Sequence, residues 1–165
     1  MKFMIILGID PGTTRIGYAI IDKKDADTLV ILTYGCLETK NKEQKDRLSE
    51  ISVFVADLIS KYRPEILAIE KLFFTKNAKT AFTVSEARGV IIDRANSQNI
   101  RIFDFTPPEV KLAVAGYGKA EKDQVRKMAC RILKIEKPPK LDDASDALAI
   151  AITACYTIPK LFINK

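Results

Sequence analysis

The first strand of the chain limits the possible folds more than any other segment. Residues 4–9 are apolar at every position, so a strand built from them has two apolar faces, and both must be covered. Such a strand is typical of the centre of a sheet that carries helices on both sides. It nevertheless ends on an acid, Asp10, before the turn residues Pro11-Gly12-Thr13-Thr14. Because a buried unpaired carboxylate is costly, Asp10 should be partnered by a donor network, a phosphate-bound cation or a metal.

The hydrophobic pattern along the rest of the chain predicts one mixed sheet covered by helices. Three strands come first and form an antiparallel meander, after which the period changes from two to 3.6 and helices alternate with two more strands. A helix should begin at Thr106-Pro107-Pro108-Glu109, which combines a cap residue, an early proline and an early acid. The predicted strands are 4–10, 16–21, 29–37, 66–70 and 100–105, and the other predicted helices are 43–61, 78–97, 119–134 and 142 to about 156.

Length and composition indicate a single globular domain. The 165 residues are enough to bury a core without disulfides, and we place the domain at 1–158 and a short tail at 159–165. The apolar runs are too short for a membrane span, and the first lacks a signal-peptide cleavage site, so we expect a cytoplasmic protein with no membrane partner. Three widely spaced cysteines, Cys36, Cys130 and Cys155, are expected to be reduced and mostly buried.

The charged residues restrict the chemistry available to the chain. It has no histidine, which excludes imidazole acid–base catalysis, serine triads built on imidazole and His-ligated zinc. Catalysis would have to use carboxylates, lysine, hydroxyls or a metal held by oxygen atoms. The excess of 27 Lys and Arg over 21 Asp and Glu, a net charge of +6, favours an anionic polymer as partner but does not establish one.

Four acids occur at positions that exposure to solvent does not explain. Asp10 ends the first strand and Glu70 the fourth, and the carboxyl ends of neighbouring strands lie side by side in an α/β sheet. Asp143 and Asp146 are three apart and so share one face of the last helix, whereas Asp142 is explained as its cap. Clustered oxygen donors suit Mg²⁺, and two such ions about 4 Å apart are suited to phosphoryl transfer.

Four longer stretches resemble the RuvC family of Holliday-junction resolvases. They are "ILGIDPGTTRIGYAII", "LAIEKLFFTKNAKTAFTVSEARGV", "TPPEVKLAVAGYGKAEKDQVRKM" and "LDDASDALAIAITAC", in the family's order and spacing and over nearly the whole chain. The resemblance implies an α/β, RNase H-like fold. Its single five-stranded mixed sheet would have a three-strand antiparallel meander and two parallel strands, with helices on both sides.

The resemblance also implies the reaction and the catalytic residues. Asp10 and Glu70 match the first two metal ligands of the family, and Asp143 and Asp146 match its late acidic pair, in which some members have histidine at the position of Asp143. The implied activity is Mg²⁺-dependent hydrolysis, with two ions per active site and Mn²⁺ as a substitute, of two opposed strands of a four-way DNA junction in recombination and repair. The products would carry 5′-phosphate and 3′-hydroxyl ends. The implied partners are a second copy in a homodimer and the branch-migration proteins RuvA and RuvB.

The same resemblance suggests DNA contacts. Phe73 matches an aromatic residue that stacks on a base near the exchange point, and of Phe73 and Phe74 we expect one to be exposed and the other to be core. Lys111 and Lys122 match basic positions near the scissile phosphate, and Lys119 is a candidate contact to the DNA backbone. Three other basic residues fit either a DNA contact or an ordinary solvated surface: Lys76, Arg88 and Arg126.

Three alternative functions remain open. The "D-x-G-T-T" motif also opens the phosphate-binding hairpin of the actin-like ATPases, but these need two such domains and the chain supplies one. A second alternative is a YqgF-like nuclease acting on RNA, which would lack the blocks "FFTKNAKTA" and "GYGKAEK". The third is a catalytically silent junction-binding protein. Retention of four acids argues against it, because a binder of polyanions gains nothing from clustered negative charge.

Overall fold

The sheet predicted from the hydrophobic pattern is present, with five strands in the order β3-β2-β1-β4-β5. The computed structural model describes residues 4–72 and 78–163. The strands are β1 (Met4–Asp10), β2 (Arg15–Lys23), β3 (Leu29–Glu38), β4 (Ile66–Glu70) and β5 (Arg101–Phe105). Strands β1, β2 and β3 pair antiparallel, whereas β4 pairs parallel with both β1 and β5. The predicted RNase H-like arrangement of an antiparallel meander and two parallel strands is therefore confirmed.

The two apolar faces of β1 are buried against different helices. Its side chains alternate, so Ile6 faces a core formed with the last helix, whereas Leu7 and Ile9 face a second core formed with the first two helices. All three are fully buried. The helices are α1 (Gln44–Tyr62), α2 (Ala78–Asn96), α3 (Pro107–Ala115), α4 (Lys122–Ile132) and α5 (Asp142–Ile163). Strand β1 lies in the middle of the sheet, as predicted, and helices cover both of its faces.

Helix α3 begins as its sequence predicts, and α4 begins later than predicted. Thr106 and Glu109 form a reciprocal capping box, in which the Thr106 amide donates to the Glu109 carboxylate at 2.7 Å. Helix α4 starts at Lys122, not at residue 119, because the amide of Glu121 donates to the side chain of Gln124 at 2.9 Å and the two form the cap there. The residues between α3 and α4 are therefore a turn, which follows Gly116 in the left-handed conformation (φ 76°).

Helix α5 continues to Ile163, past the predicted end near Tyr156. Pro159 has no N–H to pair with the carbonyl of Cys155 one turn earlier, which is the ordinary reason for a helix to stop. In the structure, the ammonium group of Lys23 on β2 donates to that carbonyl and replaces the missing partner. The middle of α5 is buried as expected, and its one polar residue there, Thr153, donates to the carbonyl of Ala149 at 2.8 Å. No helix in the described ranges is both long and apolar enough to cross a bilayer.

The three cysteines are free thiols. Cys130 and Cys155 are buried, and Cys36 is partly exposed on β3. Burial raises the pKa of Cys155 to about 12, which keeps that thiol protonated and unreactive at neutral pH. The predicted burial is therefore confirmed for Cys130 and Cys155.

Candidate active site

Parallel pairing of β1 and β4 brings Asp10 and Glu70 together. The register pairs Ile9 with Ile69, so each strand ends one residue later on its acid, at the same edge of the sheet. A side-chain hydrogen bond joins the two carboxyl groups, and a hydrogen bond between two carboxyl groups requires a proton on one of them. The strand ends therefore form one wall of the candidate site.

Two glycines allow α5 to lie close to the sheet. A Cβ on Gly8 of β1 would be 2.6 Å from the carbonyl oxygen of Ala147, and one on Gly17 of β2 would overlap the carbonyl oxygen of Asp143. Only glycine permits such a close approach of a helix backbone to a strand. Gly17 is also the register partner of Asp10. The contact at Gly17 therefore delivers the first turn of α5, with its acids, to the end of β1.

Asp143 and Asp146 complete a group of four acids that interact electrostatically. The charges of Glu70, Asp146 and Asp143 all act on Asp10, which places the side chains in one cluster. Asp142, predicted as the helix cap, is the first residue of α5 and lies on its exposed side. The predicted acids thus come from three separate segments of the chain: Asp10, Glu70, Asp143 and Asp146.

Two basic residues lie against this cluster. The ammonium group of Lys122, at the start of α4, is 2.8 Å from a carboxylate oxygen of Asp146 and 3.6 Å from one of Asp142. The guanidinium Nε of Arg15 is 3.6 Å from a carboxylate oxygen of Asp143. The family resemblance implied that Lys122 lies near the scissile phosphate, and the sequence analysis did not name Arg15. The signal for Arg15 was its position, directly after the turn that follows Asp10.

Burial raises the pKa values of three of these acids, and the charges of neighbouring acids add to the shift. Burial, followed by the charges of Glu70, Asp146 and Asp143, raises the pKa of Asp10 to about 8. Burial and the charge of Asp146 raise the pKa of Glu70, and burial raises that of Asp146 despite its hydrogen bond to Lys122. Desolvation lowers the pKa of Lys122, but its hydrogen bond to Asp146 and the surrounding acids outweigh that and raise it overall. The cluster therefore carries more negative charge than its basic neighbours compensate.

A divalent cation would fit this donor set. All four acids offer carboxylate oxygens, the ligands preferred by Mg²⁺, and the raised pKa values identify a position where added positive charge is favourable. As they stand, the described residues contain no group of three or more acids or cysteines arranged around one point to hold an ion. The ammonium group of Lys122 pairs with one of these carboxylates, that of Asp146.

The predicted DNA contacts have different positions. Lys111 is partly buried on α3, and Lys119 is exposed in the turn before α4. Phe73 and Lys76, and with them the choice between Phe73 and Phe74, lie outside the described residues. For two other basic residues the sequence left open both a DNA contact and an ordinary solvated surface. Both have acidic partners: Arg88 pairs with Asp104 and Arg126 with Asp123.

The main chain of the first turn is held by hydrogen bonds from Thr39. The hydroxyl of Thr39, just after β3, donates to the carbonyl of Thr13 at 3.0 Å, and its amide donates to the carbonyl of Thr14 at 3.0 Å. These bonds tie the turn between β1 and β2 to the end of β3. The structure thus supports the interpretation of this segment as a hairpin turn.

Known proteins match this chain over nearly its whole length. A family model described as "Crossover junction endodeoxyribonuclease RuvC" matches residues 6–154. The RuvC protein of Halothermothrix orenii is 46% identical over 150 residues, covering 90% of both chains. That of Finegoldia magna is 42% identical over 163 residues, covering 98% of this chain and 99% of the relative.

Solved structures show the same similarity. Thermus thermophilus RuvC in complex with a Holliday junction substrate has a TM-score of 0.90 at 32% identity and matches 95% of this chain and 96% of that one. The yeast mitochondrial Holliday junction resolvase Ydc2 has a TM-score of 0.70 at 14% identity, over 96% of this chain and 80% of that one, which shows a shared fold alone.

Proposed function

Because the chain belongs to the RuvC family of crossover junction endodeoxyribonucleases, we propose that it resolves four-way DNA junctions. The reaction is hydrolysis of one phosphodiester bond in each of two opposed strands. It leaves 5′-phosphate and 3′-hydroxyl ends, so that the nicks can be ligated. The protein acts in recombination and repair in the cytoplasm, as a homodimer working with RuvA and RuvB.

Mg²⁺ is the proposed cofactor, with two ions per active site and Mn²⁺ as a substitute. The proposed ligands are the carboxylates of Asp10, Glu70, Asp143 and Asp146, whose burial and mutual repulsion favour a bound cation. When bound, the metal supplies Lewis-acid stabilisation of the attacking and leaving oxygens at phosphorus. Asp10 and Glu70 contribute their oxygens from the ends of paired strands, and a rigid support of this kind keeps the reacting groups in place.

The basic residues around the acids would hold the substrate. Lys122 is the best placed, because its ammonium group already lies 2.8 Å from Asp146 and can reach a phosphate bound over the acids. Lys111 and Lys119 are proposed contacts to flanking phosphates, and Lys76 and Phe73 are further proposed contacts, with Phe73 stacking on a base near the exchange point. Base stacking of this kind is worth roughly 1–3 kcal/mol.

The observation that carries the proposal is the convergence of four carboxylates from three distant segments in a protein of net charge +6. A silent junction-binding protein would weaken its hold on a polyanion by keeping them. The length of the match to RuvC relatives also argues against an ATPase, which needs a second domain of this type. Catalysis at the cluster is the function that accounts for both the acids and the positive charge.

A cleavage assay tests the proposal directly. Wild type, Asp146→Asn, Glu70→Gln and the surface control Asp57→Asn are incubated with an end-labelled four-way junction or a matched linear duplex, with Mg²⁺ or with EDTA. We expect ligatable, symmetric nicks in the junction alone, with Mg²⁺ alone, in the wild type and the control. The two site variants should bind the junction in EDTA and not cut it. Cleavage by Asp146→Asn, or loss of binding together with cutting in a folded variant, would contradict the assignment.

A further inference from the structure

Arg88 of α2 reaches back to the end of β4, although on sequence alone it fitted a solvated surface equally well. Its Nε donates to the main-chain carbonyl of Glu70 at 3.3 Å, and its Nη2 pairs with a carboxylate oxygen of Asp104 on β5. The Arg88 side chain is 20% exposed. A planar guanidinium can hold two acceptors at once in a defined geometry. Arg88 thus links α2 to the ends of two neighbouring parallel strands.

The peptide group that follows Glu70 is held from both sides. Its carbonyl accepts the hydrogen bond from Arg88, and its N–H, which belongs to Lys71, donates to the carbonyl of Phe105 at 2.9 Å. A planar peptide anchored at both ends cannot rotate, so the ψ angle of Glu70 is set. Glu70 is the last residue of β4, so this peptide group fixes the backbone at the point where the strand ends.

The fixed peptide determines how the Glu70 side chain enters the acid cluster. The carboxyl group of Glu70 is hydrogen-bonded to that of Asp10 and feels the charge of Asp146, so a small rotation at its Cα changes both interactions. Displacements of about 1 Å in a catalytic constellation can cost about 100-fold in rate. Loss of a residue that orients a metal ligand typically costs about 10- to 100-fold in metal affinity or activity.

We propose that Arg88, held by Asp104, is a positioning residue for Glu70 that orients its carboxylate through the main chain. The inference rests on the proposed nuclease function, in which Glu70 holds the metal. Arg88 acts without touching the substrate, because its guanidinium is engaged by the Glu70 carbonyl and by Asp104. A direct contact with a DNA phosphate is the competing role, and it predicts a different result.

The chain offers a matched control on the same helix. The Nε of Arg94 donates to the hydroxyl of Ser52 on α1 at 2.7 Å, so Arg94→Gln removes the same charge and a similar hydrogen bond from α2 without involving the strand ends. Arg88→Gln and Arg94→Gln are compared with wild type and Glu70→Gln. Asp104→Asn is the milder variant: it leaves Arg88 in place and removes the charge that holds it, at a side chain that is 46% exposed.

Four measurements distinguish the outcomes: single-turnover cleavage over a Mg²⁺ titration, Mn²⁺ binding to the protein alone by calorimetry, junction affinity in EDTA, and urea stability. For Arg88→Gln we expect a rate about 10- to 100-fold lower, weaker Mn²⁺ binding and unchanged junction affinity. Asp104→Asn should show a smaller loss of the same kind, and Arg94→Gln should match wild type in rate and metal binding.

Several results would overturn the inference. One such result is that Arg88→Gln cuts the junction and binds Mn²⁺ as wild type does while Glu70→Gln is inactive. That result would refute the role of Arg88 and leave the proposed function intact. A fall in junction affinity as large as the fall in rate would make Arg88 a DNA contact. An equal loss in Arg94→Gln would make the effect one of general stability. Failure of wild type to cut a junction would refute the proposed function, while the Mn²⁺ titration would still test Arg88.

Discussion

Replacing Asp10 with Asn should make the metal-free protein more stable and the enzyme inactive. In the structure, burial and the neighbouring acids raise the pKa of Asp10 to about 8, so at alkaline pH the folded state must hold a charge that it disfavours. Asparagine has nearly the same shape and no charge, and its amide can still donate a hydrogen bond to Glu70. Activity should be lost because Asp10 is a proposed metal ligand and an amide is a poor ligand for a divalent cation.

The size of the effect follows from the pKa change. One pKa unit corresponds to about 1.4 kcal/mol, so a rise from 3.8 to about 8 sets an upper limit of about 6 kcal/mol. Because the proton on Asp10 is shared in a hydrogen bond with Glu70 and the two sites titrate together, we expect about 2–4 kcal/mol at pH 9. The pKa is raised in the folded state, so protonated Asp10 contributes its full stability below pH 3.8. That stability is lost as the pH rises through about 8, and the gain from Asn grows over this interval.

Urea unfolding in EDTA, followed by circular dichroism at pH 5, 7 and 9, measures this gain. Asp57→Asn removes an exposed acid from α1 and controls for the change in net charge. The advantage of Asp10→Asn over wild type should increase from pH 5 to pH 7 and again from pH 7 to pH 9, while the control shows no such trend. An advantage that does not change with pH, or an Asp10→Asn protein that is less stable at pH 9, would refute the electrostatic account of this site.

Three other predictions concern the site and its support. Gly17→Ala would place a Cβ on the carbonyl of Asp143, so we expect about 1–3 kcal/mol of destabilisation in urea unfolding and a loss of cleavage. Gly89→Ala, in open space on α2, should instead stabilise by up to about 1 kcal/mol, and equal effects of the two would contradict the close approach of α5. Mg²⁺ at 100 times its Kd should stabilise wild type by about 2.7 kcal/mol and Asp146→Asn by much less, as measured by the same unfolding curves. Junction affinity in EDTA should fall steeply and log-linearly with salt in a binding titration, and a flat dependence would rule out several phosphate contacts.

Local sequence patterns were sufficient for most of the fold. The strands Met4–Asp10 and Ile66–Glu70 have the predicted limits, because each is a continuous apolar run that ends on an acid and is bounded by turn or helix signals. Helix α3 also begins as predicted, since a capping box involves neighbours only three residues apart. The predicted end of α5 was wrong because it depends on a residue far away in the sequence. The contact that carries the helix past its predicted end joins Lys23 to the carbonyl of Cys155, 132 positions along the chain.

Residue type and position along the chain were enough to name the candidates for the chemistry. Without histidine, and with acids at the ends of two apolar strands and on a buried helix, oxygen-ligated metal was the natural hypothesis, and residue type is enough to state it. How those acids are held depends on the packing of the folded chain. The register of β1 and β4, the glycine contact of α5, and the positions of Lys122, Arg15 and Arg88 depend on how separate segments pack. Periodicity along one segment carries no information about distances to another, so these relations exist only in the folded protein.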